Sequence, residues 1–274
     1  MFTKILQNVN EKKPLVHCIT NYVTVNDCAN ILLACGGSPI MADDIGEAEE
    51  ITSICGGLYI NIGTLNERTI RSMLASGKKA NELSRPVVLD PVGAGASRLR
   101  TSAAFDLLKQ VRFSVIRGNI SEIRTVSQGA GTTKGVDADA ADAVTGENLD
   151  SAVAFAKELS GRTGSVIVIT GATDIVADSG RAYVIRNGNA LMSKVTGTGC
   201  MLTAVIAAYC TANPENILEA SATAVCAMGL CGELAYGRLV KSDGGTSSYR
   251  TYIIDCMSKM TAGILEGGAR IEIR

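Results

Sequence analysis

Along the chain, short runs of consecutive apolar residues alternate with longer segments whose apolar residues recur every three or four positions. The short runs are LVHCIT (15–20), SPIMAD (38–43), LYINIG (58–63), PVVLD (86–90), SVIRGN (114–119) and SVIVIT (165–170), most of them rich in Val and Ile. A strand reads as nearly continuously apolar when helices cover both of its faces. Between these runs, NERTIRSMLASGKKANEL (66–83) and SRLRTSAAFDLLKQV (97–111) set charges opposite an apolar face, as surface-covering helices do. The alternation predicts an α/β fold of three layers, a mostly parallel sheet with helices on both faces. Over IVADSGRAYVIRNG (175–188) two strand-like runs flank Asp178-Ser179-Gly180, which is turn chemistry and predicts an antiparallel edge hairpin. Helices follow near 200–211, over 215–239 and within 247–266, before a short ARIEIR strand. The segment 215–239 is rich in Ala, Gly, Cys and Met, a face that suits close helix packing or a flat ligand. The small, acidic stretch 131–150 reads as a long loop or a poorly packed helix near a site entrance.

Composition narrows the class. At 274 residues, α/β folds still form one unit, so a single domain over 1–274 is expected. Hydrophobic residues at 46% against 19% charged residues exclude a disordered chain. Lys+Arg 26 against Asp+Glu 27 leaves no basic field of the kind that binds nucleic acid. The most apolar runs, 200–209 and 222–230, are too short to cross a bilayer, so buried helices and no membrane association are expected. The first residues, MFTKILQNVNEKKPLVHCITN, lack the apolar core of a secretory signal, and the 9 cysteines are odd in number with no CxxC spacing. Both point to a reduced, cytoplasmic protein.

In open α/β sheets ligands bind beyond the carboxyl ends of the strands, and Asn21, Met41, Asp90, the 117–122 segment and Thr170 fall at those junctions. The sharpest feature is Val195-Thr196-Gly197-Thr198-Gly199-Cys200, a Gly-x-Gly turn running into an apolar helix. Unpaired N–H groups and the helix dipole make such a start an anion hole, formed here by Gly197, Thr198 and Gly199. Cys200 would lie in the first turn, where that field favours a thiolate able to take a proton from a hydroxyl. A glycine turn ahead of a buried cysteine is the plainer alternative. Asp90 and Glu122 are carboxylates suited to Mg²⁺ through its water shell, or else to capping a turn and a helix start. Arg117 ends an apolar strand, a costly place for a guanidinium unless it meets a phosphate or forms an ion pair. Together these describe phosphoryl transfer without a Walker A loop. His17, the only histidine, lies mid-strand and reads as a core or turn-stabilising residue.

The motifs PLVHCITNYV, SPIMAD, NIGTL, VVLDPVGAGA, VIRGNISE and VTGTGC, in this order across nearly the whole chain, resemble those of hydroxyethylthiazole kinases. The resemblance implies a ribokinase-like fold and ATP- and Mg²⁺-dependent phosphorylation of the hydroxyl of 4-methyl-5-(2-hydroxyethyl)thiazole, in thiamine biosynthesis or salvage. A cysteine at position 200 is similar to thiazole kinases in particular, since ribokinase-like sugar and pyrimidine kinases usually carry Asp there. By the same resemblance Cys200 is the candidate base, Gly197 serves both anion hole and thiazole pocket, and Asn21 and Met41 face the substrate. Arg117 and Thr170 match ATP-contacting positions, while Asp90 and Glu122 match the Mg²⁺ region. A homotrimer with thiazole sites shared between subunits is implied too. Cys18 departs from the family, which often has Asn there. Rival readings are a kinase of another small alcohol, such as hydroxymethylpyrimidine, and a catalytically silent thiazole-binding regulator.

Overall fold

In the computed structural model, which describes residues 2–129, 144 and 148–274, the predicted runs form strands β1 (Leu15–Ile19), β2 (Ser38–Met41), β3 (Gly57–Asn61), β4 (Val87–Asp90), β5 (Val115–Asn119) and β6 (Val166–Thr170). The hairpin supplies β7 (Asp174–Ala177) and β8 (Ala182–Ile185), and the last segment supplies β9 (Ile271–Ile273). Among the described residues these make one sheet of order β2-β1-β3-β4-β5-β6-β7-β8-β9. Neighbours from β2 through β6 pair in parallel, and those from β6 to β9 pair antiparallel. The Asp178 carboxylate closes the hairpin turn by accepting the Gly180 and Arg181 N–H groups.

Helices α1 (Phe2–Lys12), α2 (Val25–Ala34), α8 (Thr198–Ala212), α9 (Ile217–Leu239), α10 (Thr246–Ser258) and α11 (Ala262–Gly268) cover one face of the sheet. The other face is covered by α4 (Glu67–Glu82), α5 (Arg98–Gln110), α6 (Ile120–Gly129) and α7 (Leu149–Thr163), with α3 (Ala48–Ile54) beside α4. Successive strand side chains point to opposite faces, so Val88 joins the core under α8 while Val87 and Leu89 join the opposite one. That is why the strands read as unbroken apolar runs. The same two-residue period puts Tyr59, Asn61, Asp90 and Arg117 on the α8 side.

Several expectations are adjusted. The helix expected within 247–266 is two, α10 and α11, broken at Lys259–Thr261, where the Thr261 hydroxyl starts the second by accepting the Ile264 N–H. Helices α1, α2, α3 and α7 are additions to the expected elements. Apart from residues 144 and 148–150, the acidic stretch 131–150 lies outside the described residues. Helix α9, at 23 residues, is long and apolar enough to span a membrane, yet 83% of its apolar window is buried within the fold. It is a core helix, as expected. All nine cysteines are buried and unpaired.

Candidate active site

The strand order reverses at β1, whose neighbours are β2 on one side and β3 on the other. A crevice opens at such a switch point because the two connections leave in opposite directions. Asn21 lies just beyond β1 and Asn61 ends β3, so two amides flank this crevice, and α8 starts above them. The Asn21 and Asn61 Nδ2 groups each donate to Cys200 Sγ at 3.3 Å. The Tyr59 hydroxyl donates to the Cys200 carbonyl at 3.1 Å from below. Asn61 Nδ2 also lies 3.0 Å from Asp90 Oδ2 and 2.9 Å from the Tyr59 hydroxyl, three acceptors for its two hydrogens. The thiol is thereby tied to the carboxylate of the next strand through one amide.

At the start of α8, Gly197 has φ +89° and gives no side-chain cap. Only glycine takes that conformation readily, and a Cβ there would also lie 2.6 Å from Thr24 Cγ2. The first helical hydrogen bond runs from the Met201 N–H to the Gly197 carbonyl, which leaves the N–H groups of Thr198, Gly199 and Cys200 without helical partners. The helix start thus presents three N–H groups without helical partners at one spot. Arg117 packs directly against it, since a Cβ on Gly199 would stand 2.7 Å from its Nη1. Arg117 reaches Asp90 Oδ1 at 3.4 Å and the Thr170 hydroxyl at 2.6 Å, while its buried Nε meets no acceptor. A buried guanidinium N–H with no acceptor, beside three unpaired backbone donors, suits an anionic ligand.

Asp90 is fully buried and accepts from Arg117, Thr203 and Asn61. Burial pushes its carboxyl up to about 6, with the Arg117 charge opposing and the Glu122 charge adding. Glu122 is half-buried at the first turn of α6, and its oxygens accept the Gly93 and Asn119 N–H groups at 2.8 and 2.9 Å. Both carboxylates thus hold local structure and also repel each other, a repulsion that a divalent cation relieves. Among the described residues no three His, Cys, Asp or Glu side chains form a closed metal cluster. Mg²⁺ needs no such cluster when phosphate oxygens and water complete its shell. Glu122 has the face open to water; Asp90 is sealed beneath Arg117 and fits the counter-ion role better than that of a direct ligand.

One expectation about Cys200 is overturned. Burial raises its thiol above the ordinary range and the Asp90 carboxylate adds to that, against hydrogen bonds from Thr24, Asn21 and Asn61. Desolvation and the neighbouring negative charge both favour the neutral thiol at Cys200. Asn21 and Cys200 also meet within one chain, so no second subunit is needed to join the N-terminal motif to the α8 start. Met41 ends the outermost strand β2, in register with Cys18 and half-buried against the same core. His17 is a structural residue: its ring lies 2.9 Å from the Thr52 hydroxyl and 2.8 Å from the Ala42 carbonyl, and burial lowers its pKa.

Arg117 and the α8 start border a cavity of about 740 Å³. Arg117, Thr170, Thr198 and Gly199 line its polar end, and Leu202, Val225 and Met228 line an apolar wall. Helix α9, whose composition suits close packing or a flat ligand, packs in the core and lines this cavity with Val225, Met228 and Gly229. Asn61 and Thr203, which hydrogen-bond Asp90, and Asp174, which lines the cavity, are site residues that the sequence did not single out, although Asn61 ends an apolar strand much as Asp90 does.

The sequence pattern of the hydroxyethylthiazole kinase family matches residues 6–263. The chain belongs to this family. It is 62% identical over 272 residues to the hydroxyethylthiazole kinase of Clostridium acetobutylicum, covering 99% of each chain. The structure of a hydroxyethylthiazole kinase from Pyrococcus horikoshii superposes with a TM-score of 0.88 at 32% identity, covering 100% of this chain and 98% of that one. A ribokinase-like superfamily protein from Enterococcus faecalis, 14% identical with a TM-score of 0.60 over 93% of this chain and 89% of its own, shares the fold. The hydroxyethylthiazole kinase fold is thus ribokinase-like, as the motifs implied.

Proposed function

We infer that this enzyme transfers the γ-phosphoryl group of ATP to the hydroxyl of the thiazole alcohol, in the thiamine pathway. The observation that carries the reading is the meeting of Cys200, two amides and an unpaired helix start at one crevice, with that helix start and Arg117 also bordering a nucleotide-sized cavity. Bound there, the triphosphate would enter from the Thr170 end, and the moving phosphoryl group would lie over the N–H groups of Thr198, Gly199 and Cys200. Arg117, held by Asp90 and Thr170, would turn its unpaired Nε toward that charge. In phosphoryl transfer, positioning and electrostatics carry most of the rate. A neutral Cys200 thiol, flanked by Asn21 and Asn61, orients the acceptor hydroxyl, whose proton leaves late to an oxygen of the transferred phosphoryl group. Mg²⁺, when bound, neutralises charge on the phosphate chain; Glu122 would hold its water shell, with Asp90 behind.

Asn21, Gly197 and Met41 would line the thiazole pocket. Because β2 is outermost and the apolar side chains of Tyr22, Val23, Ile45 and Ile54 stand exposed after β1, after β2 and on α3, this margin is where the subunits of a homotrimer would pack. A cytoplasmic location fits an enzyme that draws on ATP, and one domain over residues 1–274 is the organisation that a single continuous sheet supports. The test is to incubate the purified protein with ATP, Mg²⁺ and equimolar thiazole alcohol and hydroxymethylpyrimidine. Mass spectrometry should find phosphate on the thiazole; phosphate on the pyrimidine alone would refute the assignment, and none on either would favour a silent binder.

A further inference from the structure

The floor of the cavity crosses four adjacent strands: Arg117 on β5, Thr170 ending β6, Asp174 opening β7, and Asn187 just beyond β8. Its chemistry changes along that line. Arg117, Thr170 and the α8 start offer donors for phosphate, whereas Leu202, Val225 and Met228 offer an apolar wall for a flat base. Asp174 stands between, only 9% exposed, with its side chain on the cavity. One of its oxygens accepts the Gly171 N–H at 2.9 Å, and the other meets no described residue. Arg117 is the charged group that acts on it.

The Gly171 bond accounts for half of this side chain. Asn or Ser would make the same turn without desolvating a charge, so turn formation does not explain a carboxylate at this depth. Between the polyphosphate and the base of a nucleotide lies the ribose, whose two adjacent hydroxyls are donors. An unpaired carboxylate oxygen in a desolvated pocket is a strong acceptor for such a group.

We propose that Asp174 selects the sugar of the nucleotide: its unpaired oxygen accepts a hydrogen bond from a ribose hydroxyl, so the enzyme distinguishes ribonucleotides from deoxyribonucleotides. This rests on the reading above that the cavity takes ATP. In Asp174→Asn, the amide Oδ1 keeps the Gly171 bond and presents Nδ2, a donor, where the carboxylate accepted.

Titration calorimetry with ADP, 2′-deoxy-ADP and 3′-deoxy-ADP reads the contact without catalysis. The wild type should bind ADP about 10-fold tighter than one of the two deoxy analogues, the scale of one hydrogen bond to a charged acceptor. In Asp174→Asn that ratio should fall below about threefold, mainly through weaker ADP binding. Equal affinity of the wild type for all three nucleotides overturns the proposal. So does an Asn variant that keeps the full ratio, or one that loses all three nucleotides equally, which would mark Asp174 as a turn residue only. Failure of the wild type to bind any adenine nucleotide would instead refute the function from which this proposal starts, and a wild type that makes thiazole phosphate without sugar discrimination would leave that function standing.

Discussion

At the carboxyl ends of β1, β3 and β4 the polar side chains Asn21, Asn61 and Asp90 are buried and bonded to one another or to Cys200, whereas Thr170 and Asp174 at the β6–β7 turn and Asn187 beyond β8 border a cavity of about 740 Å³. The first region is closed by its own hydrogen bonds, and the second keeps groups for something else. Arg117 belongs to both, paired with Asp90 on one side and with Thr170 on the other. Under the proposed function the contrast separates the two substrates: the sealed network would fix the acceptor side and govern turnover, and the cavity would govern nucleotide affinity.

Removing the shared residue should have the largest effect. Arg117→Ala takes away the cation at the phosphoryl site and should lower kcat by about 10³-fold. It also leaves Asp90 buried without its counter-ion, at a cost of about 3 kcal/mol of stability measurable by denaturant unfolding. Gly199→Ala is milder. Its new methyl would press on the Arg117 guanidinium, and displacement of that group should lower kcat by about 100-fold with the fold retained. If instead it raised only the nucleotide KM, the two regions would not divide as described.

Stability against pH sharpens the comparison from the cavity side. Burial pushes the Asp174 carboxyl up to about 7 from an ordinary 3.8, opposed by the Gly171 N–H and by Arg117. The folded state therefore holds this proton more tightly than the unfolded chain, so Asp174 costs stability increasingly as pH rises from about 4 to about 7. Asp174→Asn, which cannot ionise, should melt near the wild-type temperature at pH 4 and about 5 °C above it at pH 8. An equal difference at both pH values would contradict the desolvated charge. Smallest of all, Met228→Ala trims the apolar wall and should raise the nucleotide KM by about fivefold while leaving kcat unchanged.

Much of this architecture was legible in the sequence, for identifiable reasons. Strands covered on both faces leave unbroken runs such as VVLD and VIVIT, and a hairpin announces itself through Asp178-Ser179-Gly180. Arg117 and Asp90 stood out because charges ending apolar strands need partners, and Gly197 to Cys200 because a glycine turn feeds a helix. Asn61 and Thr203 did not stand out, since their importance comes from sheet register and from α8 lying across β3 and β4. Asp174 carries no sequence signal of its own, since an Asp that accepts an N–H three residues earlier is ordinary in a turn. The rest state of Cys200 was misread because sequence reveals the helix start but not the burial, nor the Asp90 carboxylate beneath the same helix. Helices α2 and α3, at 10 and 7 residues, are too short for their periodicity to stand out.

Turnover of Cys200 variants tests the central claim most directly, namely that a neutral thiol positions the alcohol while electrostatics drives the transfer. Steady-state kcat for thiazole phosphorylation should fall in Cys200→Ser without vanishing, and should hold or rise in Cys200→Asp, which places a carboxylate at the same helix start. Both variants wholly inactive, while folded and still binding the thiazole, would contradict the account.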